Sequence, residues 1–138
     1  MVELRKSVLV FSRNMETRGV AETVCRMASD FYRLRDISML DLLKCSGYLE
    51  DPSTVSDEQL EDVLRTYPEL IDAWLRLCDD QRTRYGWCLL RPFDSHGSAD
   101  WIVVEPNGKK QLSFPDSFKA CAFFVRKQIE AYEANIGQ

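Results

Sequence analysis

Two helix-start signatures stand almost back to back in the middle of this chain, and they constrain its fold more than any other feature. In Ser56-Asp57-Glu58-Gln59 the serine is placed to take the N3 amide while the glutamine reaches back to the serine N–H, which is a capping box. Thr66-Tyr67-Pro68-Glu69 repeats the pattern, with Pro68 tolerated in a first helical turn because the N–H it lacks has no intrahelical acceptor there. The first signature opens a helix carrying Leu60, Val63, Leu64 and Tyr67. The second opens one that buries Leu70, Ile71, Trp74, Leu75, Leu77 and Cys78 on a broad apolar face. Two capped helices this close together imply a tight helical corner.

Upstream, Val20, Val24, Met27 or Ala28, and Phe31 recur at helical spacing, so 16–34 reads as a helix in which Gly19 is a weak point. Residues 38–44 read as a short second helix, ended by Ser46-Gly47 with Gly47 as the left-handed residue past its end. Glu50 to Thr54 reads as a loop. The first segment fits two templates. Val8 to Phe11 can be a short buried strand, and Leu4, Val8, Phe11 and Met15 can also be a helical stripe.

Downstream the period changes. Trp87 to Leu90 and Trp101 to Glu105 read as strands, and Gln111 to Phe114 as a third with Leu112 and Phe114 on one face. Between the last two lies Asn107-Gly108, a hairpin signal because Asn-Gly accepts positive φ at both central positions of a turn. Pro115-Asp116-Ser117 begins a last helix whose stripe is Phe118, Cys121, Val125, Ile129 and Tyr132, widened by Ala122 and Phe124. The expected fold class is α+β: a helical N-terminal half, an antiparallel three-stranded sheet, and a long C-terminal helix packed on it. The sheet gains a fourth strand if Val8 to Phe11 joins it. With 138 residues and no linker or repeat, the expectation is a single domain over 1–138.

Charge and cysteine content narrow the functional classes. A formal net charge of −4 disfavours a nucleic-acid binder, whose phosphate contacts need clustered Lys and Arg, and leaves a cationic protein partner open. The cysteines Cys25, Cys45, Cys78, Cys88 and Cys121 form no CxxC pair, so they read as reduced thiols among apolar neighbours. No run approaches the ~20 apolar residues of a membrane span. The apolar run at Val8 to Phe11 reads as too short for the apolar core of a signal sequence. The expectation is a cytoplasmic protein.

No catalytic constellation emerges. Asp94, Ser95 and His96, with Asp100 nearby, supply the residue types of a hydrolase triad, but a triad converges from separate elements and places its Ser on a constrained turn. His96 is the sole histidine and reads as a solvated loop residue. The acids Glu58 and Asp62, and Asp57 and Glu61, share helix faces without histidine partners, which is a solvated face more than a metal site. The expectation is therefore no catalytic residues, no metal ligands and no cofactor.

The most concentrated surface chemistry lies in Asp79-Asp80-Gln81-Arg82-Thr83-Arg84-Tyr85-Gly86-Trp87. The acids fall at a helix end, where the macrodipole disfavours them, and Arg82 and Arg84 can neutralise them. Gly86 then reads as a left-handed turn residue. Arg, Tyr and Trp are also the residues enriched at interface hot spots. Asp79, Asp80, Arg82, Arg84, Tyr85 and Trp87 are thus the candidate partner-binding set.

Two family resemblances bear on this reading. Val8 to Thr17 resembles the opening of flavodoxins, an apolar strand leading through a Ser/Thr-rich loop into a helix, with Ser12 and Thr17 at fitting positions. Met15 stands where that family prefers glycine, which blocks close backbone approach to a phosphate, and no repeated βα units follow; the flavin reading is rejected. The second resemblance rests on PELIDAWLRLCDDQRTRYGWCLL read with LSFPDSFKACAFFVRKQIE. It is similar to small acidic α+β bacterial proteins in which a helix ending in acid-x-Arg runs into a Gly-Trp strand, a hairpin and a final helix. Pro68, Glu69, Trp74, Asp80, Arg82, Gly86 and Trp87 carry the match. Some proteins of that build resemble immunity proteins of bacterial toxin systems, which implies by analogy a non-catalytic protein that masks a cationic toxin. The alternatives are an enzyme or sensor with a small-molecule pocket between sheet and helices, and a homodimer subunit covering the sheet's open edges.

Overall fold

A computed structural model describes residues 19–80, 86–93, 98–106, 108 and 110–136. Its helices are α1 (Val20–Cys25), α2 (Met27–Leu34), α3 (Met39–Cys45), α4 (Asp57–Thr66), α5 (Glu69–Asp79) and α6 (Ser117–Ile136). Of two 3₁₀ turns, Pro52–Thr54 lies within the stretch read as a loop and Tyr48–Glu50 leads into it. Strands β1 (Cys88–Leu90), β2 (Trp101–Val104) and β3 (Gln111–Phe114) form an antiparallel sheet in the order β1-β2-β3. The α+β class, the meander and the long final helix agree with the sequence expectation. The first segment, Leu4 to Met15, lies outside the described residues.

Side-chain caps mark the starts of three of the six helices, α3, α4 and α6. Ser38 Oγ accepts the Asp41 amide at 3.1 Å and starts α3, and Gly47, at φ 89°, lies past its end. Ser56 and Gln59 form the full capping box at α4. The second box does not form. The Thr66 hydroxyl turns back to donate to the Asp62 carbonyl at 2.9 Å, because Thr66 is still the last residue of α4. Pro68 itself is the residue before α5, and the start of that helix is tied by Leu70 N–H to the Tyr67 carbonyl at 3.0 Å.

The helix expected over 16–34 begins, where described, at Val20 and breaks at Arg26. Gly19 is extended and serves as the N-cap of α1 (φ −69°, ψ 160°). The break has a visible cause in the core. Trp74, fully buried on α5, donates its indole N–H to the Cys25 carbonyl at 2.8 Å, and a side chain reaching a helix carbonyl is one established way to interrupt a helix. The Trp74 ring meets Phe124 of α6 edge-on, with centroids 5.7 Å apart.

Helix α6 is the hub, packing against α3, α4, α5 and all three strands. Register puts Leu89, Val103 and Leu112 side by side, with Trp101 beside Phe114. Side chains alternate between the faces of a strand, so these residues share one face. Leu89 and Val103 are buried in the core, and Phe114 meets Phe123 of α6 at 5.4 Å; Leu112 shares the face but lies at the exposed rim. The hairpin closes on Glu105 N–H to Lys110 carbonyl at 3.1 Å, with Gly108 at φ 73° donating to the Glu105 carbonyl. The loop is longer than a two-residue Asn-Gly turn because Pro106 has no N–H to extend the ladder. Asn107 lies outside the described residues.

The α4–α6 seam carries the polar edge of this packing. Arg65 bridges Glu61 (2.7 Å) and Asp116 (2.9 Å) and stacks on Phe118. Arg126 pairs with Asp57 at 2.9 Å and donates to the Val55 carbonyl. Asp116 caps α6 by accepting the Phe118 amide at 2.8 Å. Burial pushes its carboxyl up, but the Phe118 amide and the Arg65 guanidinium outweigh that and hold it below the usual carboxylate range. No described helix is long and apolar enough to cross a membrane.

Candidate functional site

The last turns of α2 and α5 lie together, and between them opens a cleft of about 550 Å3 lined by Phe31, Tyr32, Arg35, Arg76, Asp79 and Asp80. Periodicity brings each helix's share to the surface. Arg76, Asp79 and Asp80 are related by i+3 and i+4 on the face of α5 opposite the Trp74 stripe. Tyr32 and Arg35 have the same relation across the end of α2. The Arg76 guanidinium lies 3.9 Å above the Tyr32 ring, the Tyr32 hydroxyl donates to Asp80 Oδ2 at 3.4 Å, and Phe31 meets Tyr32 edge-on at 5.2 Å.

Two features set the character of this cleft. Both helices present their C-terminal ends to it, so the negative ends of their dipoles add to Asp79 and Asp80, and the guanidiniums of Arg35 and Arg76 oppose it. Arg35 also stands at φ 66°, a conformation that costs a side-chain-bearing residue on the order of 1 kcal/mol. It ends α2 while its amide still donates to the Phe31 carbonyl at 3.2 Å.

Of the residues expected from sequence, Asp79 and Asp80 are in this cleft. Arg82, Arg84 and Tyr85 lie outside the described residues. Trp87 is elsewhere: it is half-buried against α6, where its ring meets Phe123 edge-on at 6.2 Å with the Lys127 ammonium 5.8 Å away. Its backbone N–H donates at 2.8 Å to Oε1 of Gln128, a glutamine of α6 that is only 2% exposed. Gln128 Nε2 in turn donates to the Tyr132 hydroxyl at 2.9 Å. Burial pushes that phenol up to about 12, so it stays protonated.

The reading of Gly86 as a left-handed residue is corrected by this arrangement. The described glycines with positive φ are Gly47 and Gly108, and Gly86 is not among them. Glycine is needed at 86 for space: a Cβ there would lie 2.3 Å from Gln128 Nε2 and 2.4 Å from Oε1.

Sequence reasoning passed over Phe31, Tyr32, Arg35 and Arg76. The i+3 and i+4 spacing of Arg76 to Asp79 and Asp80 was a local signal for part of the set. The pairing of α2 with α5 had none. Phe93, 69% exposed and at φ 60°, is a second surface aromatic with no sequence signal; its N–H donates to the Ser98 carbonyl at 2.6 Å. Asp94, Ser95 and His96 lie outside the described residues.

Of the acids weighed as metal ligands, Asp57 is paired with Arg126 and Glu61 with Arg65, while Glu58 and Asp62 are exposed on α4. Among the described residues no group of three or more His, Cys, Asp or Glu side chains is placed to hold a metal ion. The five cysteines are free, with Cys25 and Cys121 buried and Cys45, Cys78 and Cys88 half-buried. Burial pushes the Cys25 thiol up to about 12 and Cys121 well above its ordinary value. Compared with protein-family models, with curated protein sequences and with solved structures, the chain matches none.

Proposed function

We propose that this chain is a non-catalytic protein-binding module whose recognition surface is the α2–α5 cleft. The observation that carries the reading is the convergence of two helix C-terminal ends with Asp79, Asp80, Arg35, Arg76 and the rings of Phe31 and Tyr32 around one open cleft. Its mixed charge complements a surface of patterned charge, such as a protein presents, and not the uniform array of phosphates on a nucleic acid. The carbonyl ends tilt the balance toward an incoming cation. A partner Lys or Arg can lie with its stem on Phe31 and its head near the acids, while a partner carboxylate meets Arg35.

In its more specific form the proposal is an immunity protein that neutralises a cationic toxin. The net charge of −4 supports that form through electrostatic steering of a basic partner. The exposed Glu58 and Asp62 of α4 belong to the same acidic surface budget.

The test is affinity capture with the tagged chain from cells that encode it, at low and moderate salt, in parallel with an Arg35→Ala/Asp79→Asn variant. A basic protein retained by the wild type, released by salt and lost from the variant is the expected result. Co-expression that relieves toxicity of that protein supports the immunity form. The cleft volume also falls within the range of small-ligand sites, roughly 300–1,000 Å3, and that favours one rival. A metabolite found by native mass spectrometry, with no protein retained, overturns the binding-module reading in its favour.

A further inference from the structure

The end of α5 and the start of β1 bring two thiols together. The Leu89 amide donates to Cys78 Sγ at 3.3 Å, so the last turn of α5 lies against the first residues of β1. Cys78 and Cys88 line one cavity of about 220 Å3 with Trp87, Phe124 and Gln128. Both are free and half-buried, which leaves them open to a small solute. The remaining thiols are placed differently: Cys25 and Cys121 are sealed in the core, and Cys45 lies at the end of α3.

We propose that Cys78 and Cys88 are an oxidisable pair that closes to an intramolecular disulfide when the chain meets a hydroperoxide. The neighbouring Cys88, and then burial, push the Cys78 thiol well up, so Cys78 keeps its proton and Cys88 makes the first attack. The attacking species is the thiolate. Cys88 loses its proton and attacks the terminal peroxide oxygen; the O–O bond breaks, and the departing oxygen takes up a proton as water or alcohol. Cys88 is oxidised to the sulfenic acid. The Cys78 sulfur then attacks Cys88, the S–O bond breaks, and the Cys78 proton leaves with the hydroxyl as water. Two thiols and one hydroperoxide thus become one disulfide, one water and one alcohol, or two waters when the oxidant is hydrogen peroxide. The bond spans 79–87, tying α5 to the sheet around the segment that contains the cleft acids. The chemistry stands whether or not the cleft binds a protein.

The test is peptide mapping of the wild-type chain after brief treatment with hydrogen peroxide under native conditions, with free thiols alkylated on unfolding. The expected product joins Cys78 to Cys88, lowers the alkylatable thiols from five to three, and reverts with dithiothreitol. Cys78→Ser should stop the reaction at a Cys88 sulfenic acid that dimedone traps, and Cys88→Ser should leave Cys78 unoxidised. Over-oxidation of Cys88 without a bridge, a bridge to another cysteine or between chains, or no reaction overturns the proposal. The wild-type map needs no variant, so a variant that fails to fold leaves the test decisive.

Discussion

The segment between α5 and β1 has two ends held by different physics. At the sheet end, Gly86 and Trp87 are gripped from within: Gln128, buried on α6, accepts the Trp87 amide and fills the space a side chain at 86 would need. At the helix end, Asp79 and Asp80 face a charged cleft shared with α2. Neighbouring residues in one short stretch therefore answer to separate demands. A part-buried amide that loses its acceptor is only partly resolvated, whereas an exposed carboxylate that loses a partner is solvated at once. Substitutions at the sheet end should act on stability, and those at the helix end on recognition.

The sharpest way to break that division is Gly86→Ala. The Gln128 amide is the far end of a flexible side chain, but it is bonded at both ends and cannot move without leaving Trp87 or Tyr132 unsatisfied. We expect a loss of about 2–3 kcal/mol in chemical denaturation, combining overpacking with a stranded hydrogen bond. An unchanged midpoint would remove Gly86 from the buried end. Gln128→Ala should cost about 1–3 kcal/mol by stranding the Trp87 amide. Because it also vacates the space at 86, the double variant should lose less than the sum of the singles, and strict additivity would show that the two positions do not meet.

Arg35 tests the other end with an opposite sign. Arg35→Gly relieves the positive φ and should raise stability by about 1 kcal/mol while weakening partner capture. A stability gain with capture intact would leave Arg35 outside the recognition surface. An ordinary cap calibrates the scale: Asp116→Ala should cost about 1 kcal/mol at neutral pH. Asp116→Asn, which still caps, should cost less. Its deficit has a defined pH dependence, because a carboxyl held low in the folded chain stabilises above the unfolded pKa and loses that contribution as pH falls through the folded one. The difference from wild type should therefore vanish in acid; a deficit that persists there would mean the carboxylate charge contributes nothing. The smallest effect is expected for Asp79→Asn, within about 0.5 kcal/mol of wild type, with its consequence confined to binding.

The helices, the hairpin and the α+β class were legible because caps, periodicity and turn residues act over a few positions. Ser56 with Gln59, Ser38 with Asp41, and Gly47 did what their types favour. The second capping box was misread because Thr66 had a competing local acceptor in the Asp62 carbonyl, four residues back in its own helix. Two of the six residues lining the candidate site, Asp79 and Asp80, were legible in the same way, as acids at a helix end. Phe31, Tyr32 and Arg35 were not, since no local pattern says which helix packs beside α5.

By itself the sequence determined the elements that local hydrogen bonding and apolar spacing can specify: where α3 and α4 begin, that residues 111–136 form a strand followed by a long amphipathic helix, and that the strands between 88 and 114 run antiparallel. Tertiary structure decided what depends on partners far along the chain. Trp74 reaching the Cys25 carbonyl separates α1 from α2, Gln128 makes glycine necessary at 86, and the meeting of α2 with α5 turns scattered charges into a cleft. The reason is range. A cap or a turn is settled among neighbours, but an indole, an amide or a guanidinium is satisfied only when packing has chosen what stands opposite it.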